Sequence, residues 1–213
     1  MRHKTVLNGH DYEAIDILME IHCGLENPLI LDCTHNSGKM WKKSSFKPIR
    51  SDINPEFPVD LVADFMHIPF RDKTFDVVVF DPPHLPTNVG SSGIMSNIWG
   101  KTYGITTDDK YREGDNVSPM FDPFLIEAKR VLKTEGIILA KIADLINNHR
   151  YQWQHVDFIN SCVKNGIVAC DAMIKCDPSA GNLMSSKWIN VKHLRKAHSF
   201  WIVARVNGRC EKK

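Results

Sequence analysis

Residues 75–84 read FDVVVFDPPH, and this stretch decides the fold. A run of apolar and β-branched residues ends at Asp81, and two prolines and His84 follow. A continuous apolar run of this kind is typical of a strand covered on both faces in the centre of a parallel sheet. Because Pro82 and Pro83 restrict the backbone directly after the strand, we expect Asp81 to be held rigidly at the strand end.

Three shorter segments upstream also end at an aspartate. They cover residues 29–32, 48–52 and 59–64 and end at Asp32, Asp52 and Asp64. In an open parallel sheet the carboxyl ends of the strands lie along one edge, and ligands bind at that edge. A single aspartate at a strand end is usually a turn former or a helix cap. Four aspartates in corresponding positions instead favour a ligand-binding site at the carboxyl ends of the strands.

Helix and strand patterns continue to alternate along the chain. We predict helices over residues 11–23, 121–132 and 149–164, and further strands over residues 136–142, 167–175 and 199–206. The alternation predicts one α/β domain over residues 1–213, with a seven-stranded, mostly parallel, doubly wound sheet. Because the last two strands leave no space for an ordinary crossover helix, we expect an antiparallel pair at one edge of the sheet.

The composition is that of an ordinary globular protein, with 213 residues, 43% hydrophobic and 24% charged. A net charge of +2 gives no overall attraction to nucleic acid, so any basic surface must be local. No apolar run approaches the roughly 18 residues of a membrane helix, and the N-terminus lacks the apolar core of a signal peptide. We therefore expect a cytoplasmic protein without a membrane partner. The cysteines form no Cys-x-x-Cys pair, and no metal site is predicted.

The order of these features resembles the class I S-adenosylmethionine-dependent methyltransferases, and more narrowly those that modify exocyclic amino nitrogens of nucleobases. The tetrad DPPH at residues 81–84 is similar to the [DNS]-P-P-[YFW] signature of that group, and LVADFMHIPFRDKTFDVVVFDPPH at residues 61–84 extends the likeness. The resemblance covers about residues 10–206, and the sequence also looks like short phage and prophage methyltransferases that carry DPPH. It implies a Rossmann-like fold, S-adenosyl-L-methionine as cofactor, and nucleic acid as partner, DNA rather than RNA.

The resemblance also implies a cofactor site along the first three acidic strand ends. Its residues are Asp32, Thr34, Asn36, Gly38, Asp52, Ile53, Asp64 and Phe65. Asp52 corresponds to the acid that binds the ribose hydroxyls, Ile53 packs on the adenine ring, and Asp64 accepts from the adenine amino group. The loop after Asp32 has one glycine where the family has two or three, and Asn36 can tolerate the positive φ of a missing glycine.

A nicotinamide-dinucleotide fold is the natural rival, because the acid after the second strand is common to both. That fold needs G-x-G-x-x-G after the first strand, and DCTHNSGKMW at residues 32–41 does not supply it. The methyltransferase interpretation is therefore preferred.

The tetrad is the predicted catalytic centre, formed by Asp81, Pro82, Pro83 and His84. An exocyclic amino nitrogen is a weak nucleophile because its lone pair is delocalised into the ring. The Asp81 carboxylate can accept one N–H, and a proline carbonyl can accept the other, so that the lone pair points at the methyl group. His84 replaces the aromatic residue that stacks on a flipped base, and its ring could stack or form hydrogen bonds. The alternative is that the tetrad is only a rigid turn.

Substrate contacts are predicted in a long loop over residues 85–120, in a basic hairpin insertion over residues 177–198, and at one lysine on the strand edge. The residues are Trp99, Lys101, Tyr103, Lys141, Lys187, Arg195 and Lys196. Aromatic and basic side chains together suit stacking on bases and binding to phosphates. The two loop aromatics could equally anchor the loop on the core, and the hairpin could be a merely solvated surface.

Three functions remain open from the sequence. The first is methylation of an amino group in DNA, with adenine N6 favoured. The second is methylation of a tRNA or rRNA base, which is less favoured because no added RNA-binding domain is recognisable. The third is a non-catalytic nucleic-acid-binding module on a degenerate methyltransferase fold, suggested by the glycine-poor loop and His84.

Overall fold

The structure is a computed structural model that describes residues 4–83, 117–147, 150–176, 196–207 and 210. Its strands are β1 (Val6–Asn8), β2 (Ile30–Asp32), β3 (Ile49–Asp52), β4 (Leu61–Val62), β5 (Phe75–Phe80), β6 (Leu132–Ile142), β7 (Leu145–Asn147), β8 (Arg150–Gln152), β9 (Val168–Cys176) and β10 (His198–Arg205). Its α-helices are α1 (Asp11–Leu18), α2 (Phe121–Val131) and α3 (Gln154–Lys164). A π-helical turn (Met19–Cys23) extends α1, and short 3₁₀ turns cover Lys39–Trp41 and Ser118–Met120.

The main sheet has eight strands in the order β1-β9-β10-β6-β5-β2-β3-β4. Among the described strands of this sheet, β10 alone runs antiparallel to its neighbours. The predicted α/β fold class with a mostly parallel sheet is therefore confirmed. Two details differ from the prediction: the antiparallel strand lies between β9 and β6 instead of at the edge, and the additional strand β1 extends the sheet beyond β9.

Strand β5 lies in the middle of the sheet and is buried on both faces. Because side chains alternate along a strand, Val77 and Val79 face one layer while Val78 and Phe80 face the other. The first pair packs in a core cluster that includes α1, and the second pair packs in a larger cluster that includes α2 and α3. Burial on both faces explains why the sequence of β5 is continuously apolar.

Aromatic side chains fix the end of β5 against α2 and α3. Phe80 stacks on Phe124 with the ring centroids 3.8 Å apart and the planes 8° apart. Phe121 and Phe158 complete this fully buried cluster, with their rings edge to face at 5.2 Å. Because Phe80 directly precedes Asp81, the cluster fixes the backbone from which the predicted catalytic segment emerges.

The structure corrects several predicted boundaries. The third predicted helix begins at Gln154 instead of residue 149, because Arg150–Gln152 pair with Leu145–Asn147 in a separate hairpin. Residues 85–116 of the predicted loop and residues 177–195 of the predicted hairpin insertion lie outside the described residues. Among the described helices, none is both long and apolar enough to span a membrane.

Candidate functional site

Asp81 stands at the carboxyl end of β5 and is held through both its backbone and its side chain. Its backbone N–H donates to Thr34 Oγ1 at 2.7 Å, which links the catalytic segment to the loop after β2. Its Oδ2 accepts from Lys141 Nζ at 3.1 Å. Pro82, which follows, is buried and Pro83 is half-buried. Asp81 therefore has one partner in the loop after β2 and one partner on the neighbouring strand β6.

Lys141 connects Asp81 to a second carboxylate. Its Nζ lies 3.1 Å from Asp11 Oδ2, at the start of α1. Asp11 Oδ1 also lies 3.5 Å from Lys175 Nζ and accepts from Trp201 Nε1 at 3.2 Å. Burial lowers the pKa of Lys141, but the charges of Asp81 and Asp11 oppose this and raise it above its ordinary value. The Lys141 ammonium therefore stays charged between the two carboxylates.

Asp32 organises the loop that follows β2. The residue is fully buried, and its carboxylate accepts from Thr34 N at 3.2 Å and from Trp41 Nε1 at 2.6 Å. His35 Nδ1 lies 2.8 Å from the same carboxylate. A buried carboxylate is stable only when donors surround it. In this structure Asp32 meets its partners within the loop, and its side chain does not reach solvent.

Two residues give the loop its left-handed turns. Asn36 has a φ of 52° and Gly38 a φ of 69°. A Cβ at Gly38 would lie 2.6 Å from His35 Nε2, so close packing as well as backbone conformation requires glycine there. Asn36 adopts the positive φ that was expected of it in this glycine-poor loop. Its backbone N–H donates to Asp52 Oδ2 at 2.8 Å, which joins the loop to the end of β3.

Asp52 is the last residue of β3, and Ile53 follows it. Asp52 accepts backbone N–H groups from Asn36 and, at 2.9 Å, from Asn54. Burial raises the pKa of Asp52, and these two hydrogen bonds oppose the rise. A carboxylate offers about four acceptor positions, so the two described donors leave capacity for further hydroxyl donors such as a vicinal diol. Ile53 is 44% exposed and offers an apolar surface beside it.

Asp64 and Phe65 lie after β4. Asp64 Oδ1 accepts from Met66 N at 2.8 Å, and its other oxygen lies 3.6 Å from His67 Nδ1. The Phe65 ring lies edge-on to Phe80 and Phe124, with ring centroids 5.2 and 6.2 Å apart. Phe65 therefore packs partly in the core, while the Asp64 carboxylate remains partly open to solvent.

A second polar cluster lies just beyond the end of β6. Asp144 is buried, and its carboxylate lies 2.6 Å from His155 Nδ1 and 3.7 Å from Lys196 Nζ. Lys196 also lies 3.4 Å from the centre of the Tyr151 ring. Burial lowers the pKa of Lys196, and the Asp144 charge opposes this effect. The neighbouring Trp153 is 54% exposed, and the centre of its ring lies 5.7 Å from Lys196 Nζ.

Solved structures that superpose on this chain include proteins described as methyltransferases. A candidate sarcosine dimethylglycine methyltransferase from Galdieria sulphuraria superposes with a TM-score of 0.57 at 12% identity, over 92% of this chain and 85% of that chain. The 1,6-didemethyltoxoflavin-N1-methyltransferase from Burkholderia thailandensis superposes with a TM-score of 0.56 at 10% identity, over 92% of this chain and 77% of that chain. The chain has the Rossmann-like methyltransferase fold. No protein-family profile and no curated protein matches the sequence.

A candidate DNA modification methylase from Thermus thermophilus gives a TM-score of 0.44 at 14% identity. The superposition covers 71% of this chain and 53% of that chain, so this chain spans about half the length of that neighbour.

The carboxyl ends of the described strands bring together Asp81, Lys141 and the loop from Asp32 to Gly38. Asp52 lies next to that loop. Six predicted site residues lie outside the described residues: His84, Trp99, Lys101, Tyr103, Lys187 and Arg195. Asp11 was not predicted as a site residue, because it begins α1 and an aspartate is common in the first turn of a helix. No sequence pattern could have revealed it, because its partner Lys141 lies 130 residues further along the chain.

Three or more His, Cys, Asp or Glu side chains do not come together as metal ligands anywhere in the part of the chain that the structure describes.

Proposed function

We propose that this protein transfers the methyl group of S-adenosyl-L-methionine to an exocyclic amino nitrogen of a nucleobase, most favourably adenine N6 in DNA. The observation that carries the proposal is the rigid placement of Asp81 at the end of β5, bonded to Thr34 of the neighbouring loop and to Lys141 of the neighbouring strand. Carboxyl ends of strands are where open α/β sheets bind their ligands.

The residues along β2 and β3 fit the proposed cofactor. Asp52 has acceptor capacity for the ribose hydroxyls, and the exposed Ile53 offers a surface for the adenine ring. The loop turns through left-handed conformations at Asn36 and Gly38, and Gly38 leaves its backbone without a side chain where the loop would approach the methionine part. The Burkholderia thailandensis neighbour carries bound S-adenosylhomocysteine, which supports the proposed cofactor.

Asp32 takes a different role in this proposal from the one the resemblance implied. Because its carboxylate is buried and bonded to Thr34, His35 and Trp41, it would act on the cofactor through the loop and not by direct contact. Phe65 likewise would support the site by packing on Phe80, with Asp64 left to accept from the adenine amino group.

The chemistry that this chain contributes is orientation. When bound, the cofactor supplies an electrophilic methyl group on a sulfonium centre. Asp81 accepts one N–H of the target amino group and turns the nitrogen lone pair toward that methyl carbon, while the carbonyl of Pro82 or Pro83 accepts the second N–H. As the new N–C bond forms and the C–S bond breaks, the nitrogen becomes cationic and loses one proton. The Asp81 carboxylate accepts this proton and passes it to water.

Two features support nucleic acid as the substrate: the DPPH tetrad and the surface beside the site. Arg150 is exposed and begins β8 of the hairpin that follows β6, and the exposed Trp153 comes directly after that hairpin. Because β6 runs parallel to β5, the hairpin lies at the same end of the strands as Asp81. An exposed aromatic ring can stack on a base, and arginine can bind a phosphate. DNA and RNA share these contacts, so the substrate assay must separate them.

The test is a transfer assay with radiolabelled S-adenosylmethionine and three acceptors: unmethylated DNA, tRNA with rRNA, and protein. We expect label in DNA, recovered as N6-methyladenine after digestion. Asp81→Asn should reduce the rate by roughly 100-fold or more, because it removes an oriented charged acceptor at the reacting nitrogen. Calorimetry on the same variant should show unchanged binding of S-adenosylhomocysteine.

Each other outcome selects an alternative. Label in RNA alone would mean that the substrate is RNA instead of DNA. Label in protein alone would refute nucleic acid as the substrate class. Label that persists in Asp81→Asn refutes the mechanism. Absence of cofactor binding at tens of micromolar would favour a non-catalytic module on a methyltransferase fold.

A further inference from the structure

We propose that Lys141, anchored by Asp11, is a positioning residue that orients the Asp81 carboxylate, and not a residue that binds substrate. The inference rests on the proposed function, since it assigns a role within that site. It gives Asp11, at the start of α1, a function in the reaction that its sequence context does not suggest.

The network lies on one face of four adjacent strands. Phe80 pairs with Ala140 in the β5–β6 register, which places Asp81 beside Lys141. Lys141 pairs with Trp201 on β10, and Trp201 pairs with Met173 on β9. Because side chains alternate along a strand, Lys175 shares the face of Met173. The polar groups of these four strands therefore meet at one end of a single face.

The middle of that face is apolar and is covered by α1. Its buried residues include Val77, Val79, Ile137, Leu139, Met173 and Val203, which pack with Ala14, Ile15 and Leu18 of the helix. Asp11 is the first residue of α1, so packing of the helix delivers its carboxylate to the polar end of the face. The position of Asp11 is thus set by the hydrophobic core and not by a flexible loop.

Among the described residues, the charges of the network balance. Asp81 and Asp11 carry two negative charges, and Lys141 and Lys175 carry two positive charges. Lys141 and Asp11 are each only about one-fifth exposed, with side-chain values of 19% and 20%, so solvent screens the pairs less than at an open surface. A lysine that has a second carboxylate on its far side is restrained in position as well as in charge.

This restraint has a consequence for catalysis. Lys141 contacts Oδ2 of Asp81, and this contact restrains the orientation of the carboxylate relative to a target amino group. A misplacement of about 1 Å in a catalytic group can cost roughly 100-fold in rate. The charged Lys141 itself is committed to two carboxylates, which leaves it poorly placed to serve as a phosphate ligand.

The experiment compares Lys141→Met, Lys141→Arg and Asp11→Asn in the full chain. Lys141→Met should lower kcat by roughly 10- to 100-fold with KM for nucleic acid nearly unchanged, and Lys141→Arg should restore part of the loss. Asp11→Asn keeps an oxygen for Trp201 Nε1 and should lower kcat by a smaller factor. Lys133→Met is the matched control, because Lys133 is an exposed lysine on β6 that pairs with Asp76 away from the site. It should leave kcat unchanged.

A second readout does not depend on methyl transfer. The pKa of Lys141, followed by NMR of the labelled lysine side chain in the free protein, should fall in both Asp81→Asn and Asp11→Asn and stay constant in Lys133→Met. If it stays constant in Asp81→Asn and in Asp11→Asn, the network does not exist in solution and the inference is wrong.

The two readouts separate this inference from the proposed function. A rise in KM for nucleic acid with kcat unchanged in Lys141→Met would identify Lys141 as a substrate-binding residue and overturn the inference. Transfer to no nucleic acid by the unmodified protein would refute the proposed function and, with it, the catalytic role, while the NMR shifts would still establish the charge network. Urea unfolding of each variant identifies any that fail to fold. If Lys141→Met fails to fold, the kcat and KM of Asp11→Asn are used in its place.

Discussion

Gly38 holds the loop after β2 in a left-handed conformation that alanine reaches only at a cost. Its φ is 69°, and a Cβ would lie 2.6 Å from His35 Nε2. We expect Gly38→Ala to lower the free energy of unfolding by at least about 1–2 kcal/mol from the left-handed backbone alone, and to weaken binding of S-adenosylhomocysteine. Urea unfolding and calorimetry measure the two effects. Lys39→Ala, at an exposed neighbouring position, should change neither, and a Gly38→Ala protein as stable as the parent would contradict the prediction.

Single residues were predictable from sequence where local chemistry determines them. The restricted backbone at the prolines after Asp81 and the positive φ of Asn36 follow from backbone sterics, which act over one or two residues. Thr34 was predicted as a cofactor residue, but its hydrogen bond to the backbone of Asp81 was not predictable, and neither was the pairing of Asp11 with Lys141, because each depends on a partner distant in the chain. A threonine in a loop and an aspartate at a helix start both have ordinary local explanations.

Helix α3 contributes to the core mainly through Phe158, which contacts the aromatic cluster at the end of β5. The residue is fully buried, and its ring lies edge-on to Phe121 at 5.2 Å. We expect Phe158→Ala to lower the free energy of unfolding by about 3–5 kcal/mol, as for other buried phenylalanines replaced by alanine. Val163→Ala on the same helix is the control, because Val163 is 70% exposed. Its effect should stay within about 0.5 kcal/mol in chemical denaturation. Equal losses in the two variants would mean that α3 does not pack as described.

Sequence predicts a helix or strand well when the pattern of its own residues is enough to define it. Strand β5 is continuously apolar because both of its faces are covered, and α2 ends where its apolar stripe ends. Strand β1 was missed because it has only three residues, and it is a strand only by pairing with β9, far along the chain. Strand β8 was predicted as part of α3, because short strands carry too few residues for a period of two to be distinguished from a helical one.

The molecule as a whole divides its proposed tasks between two halves of one sheet. Strands β2 to β4 carry the loop with Gly38 and the carboxylates of Asp52 and Asp64. Strands β6, β10 and β9 carry Lys141, Trp201 and Lys175, which meet Asp11. Asp81 ends β5 between the halves and bonds to both, through Thr34 on one side and Lys141 on the other. Cofactor binding and orientation of the acceptor are therefore expected to respond to different substitutions.

Thermal unfolding with S-adenosylhomocysteine tests this division of tasks. A ligand at 100 times its Kd stabilises the folded state by about 2.7 kcal/mol, which corresponds to a rise in Tm of roughly 5–11 °C for a domain of this size. Asp52→Ala should lose most of this rise at the same ligand concentration, because it removes the proposed acceptor of the ribose hydroxyls. Asp81→Asn should keep the full rise, because Asp81 is proposed to contact the target amine and not the cofactor. The reverse result, with the rise lost in Asp81→Asn and kept in Asp52→Ala, would place the cofactor on the other half of the sheet.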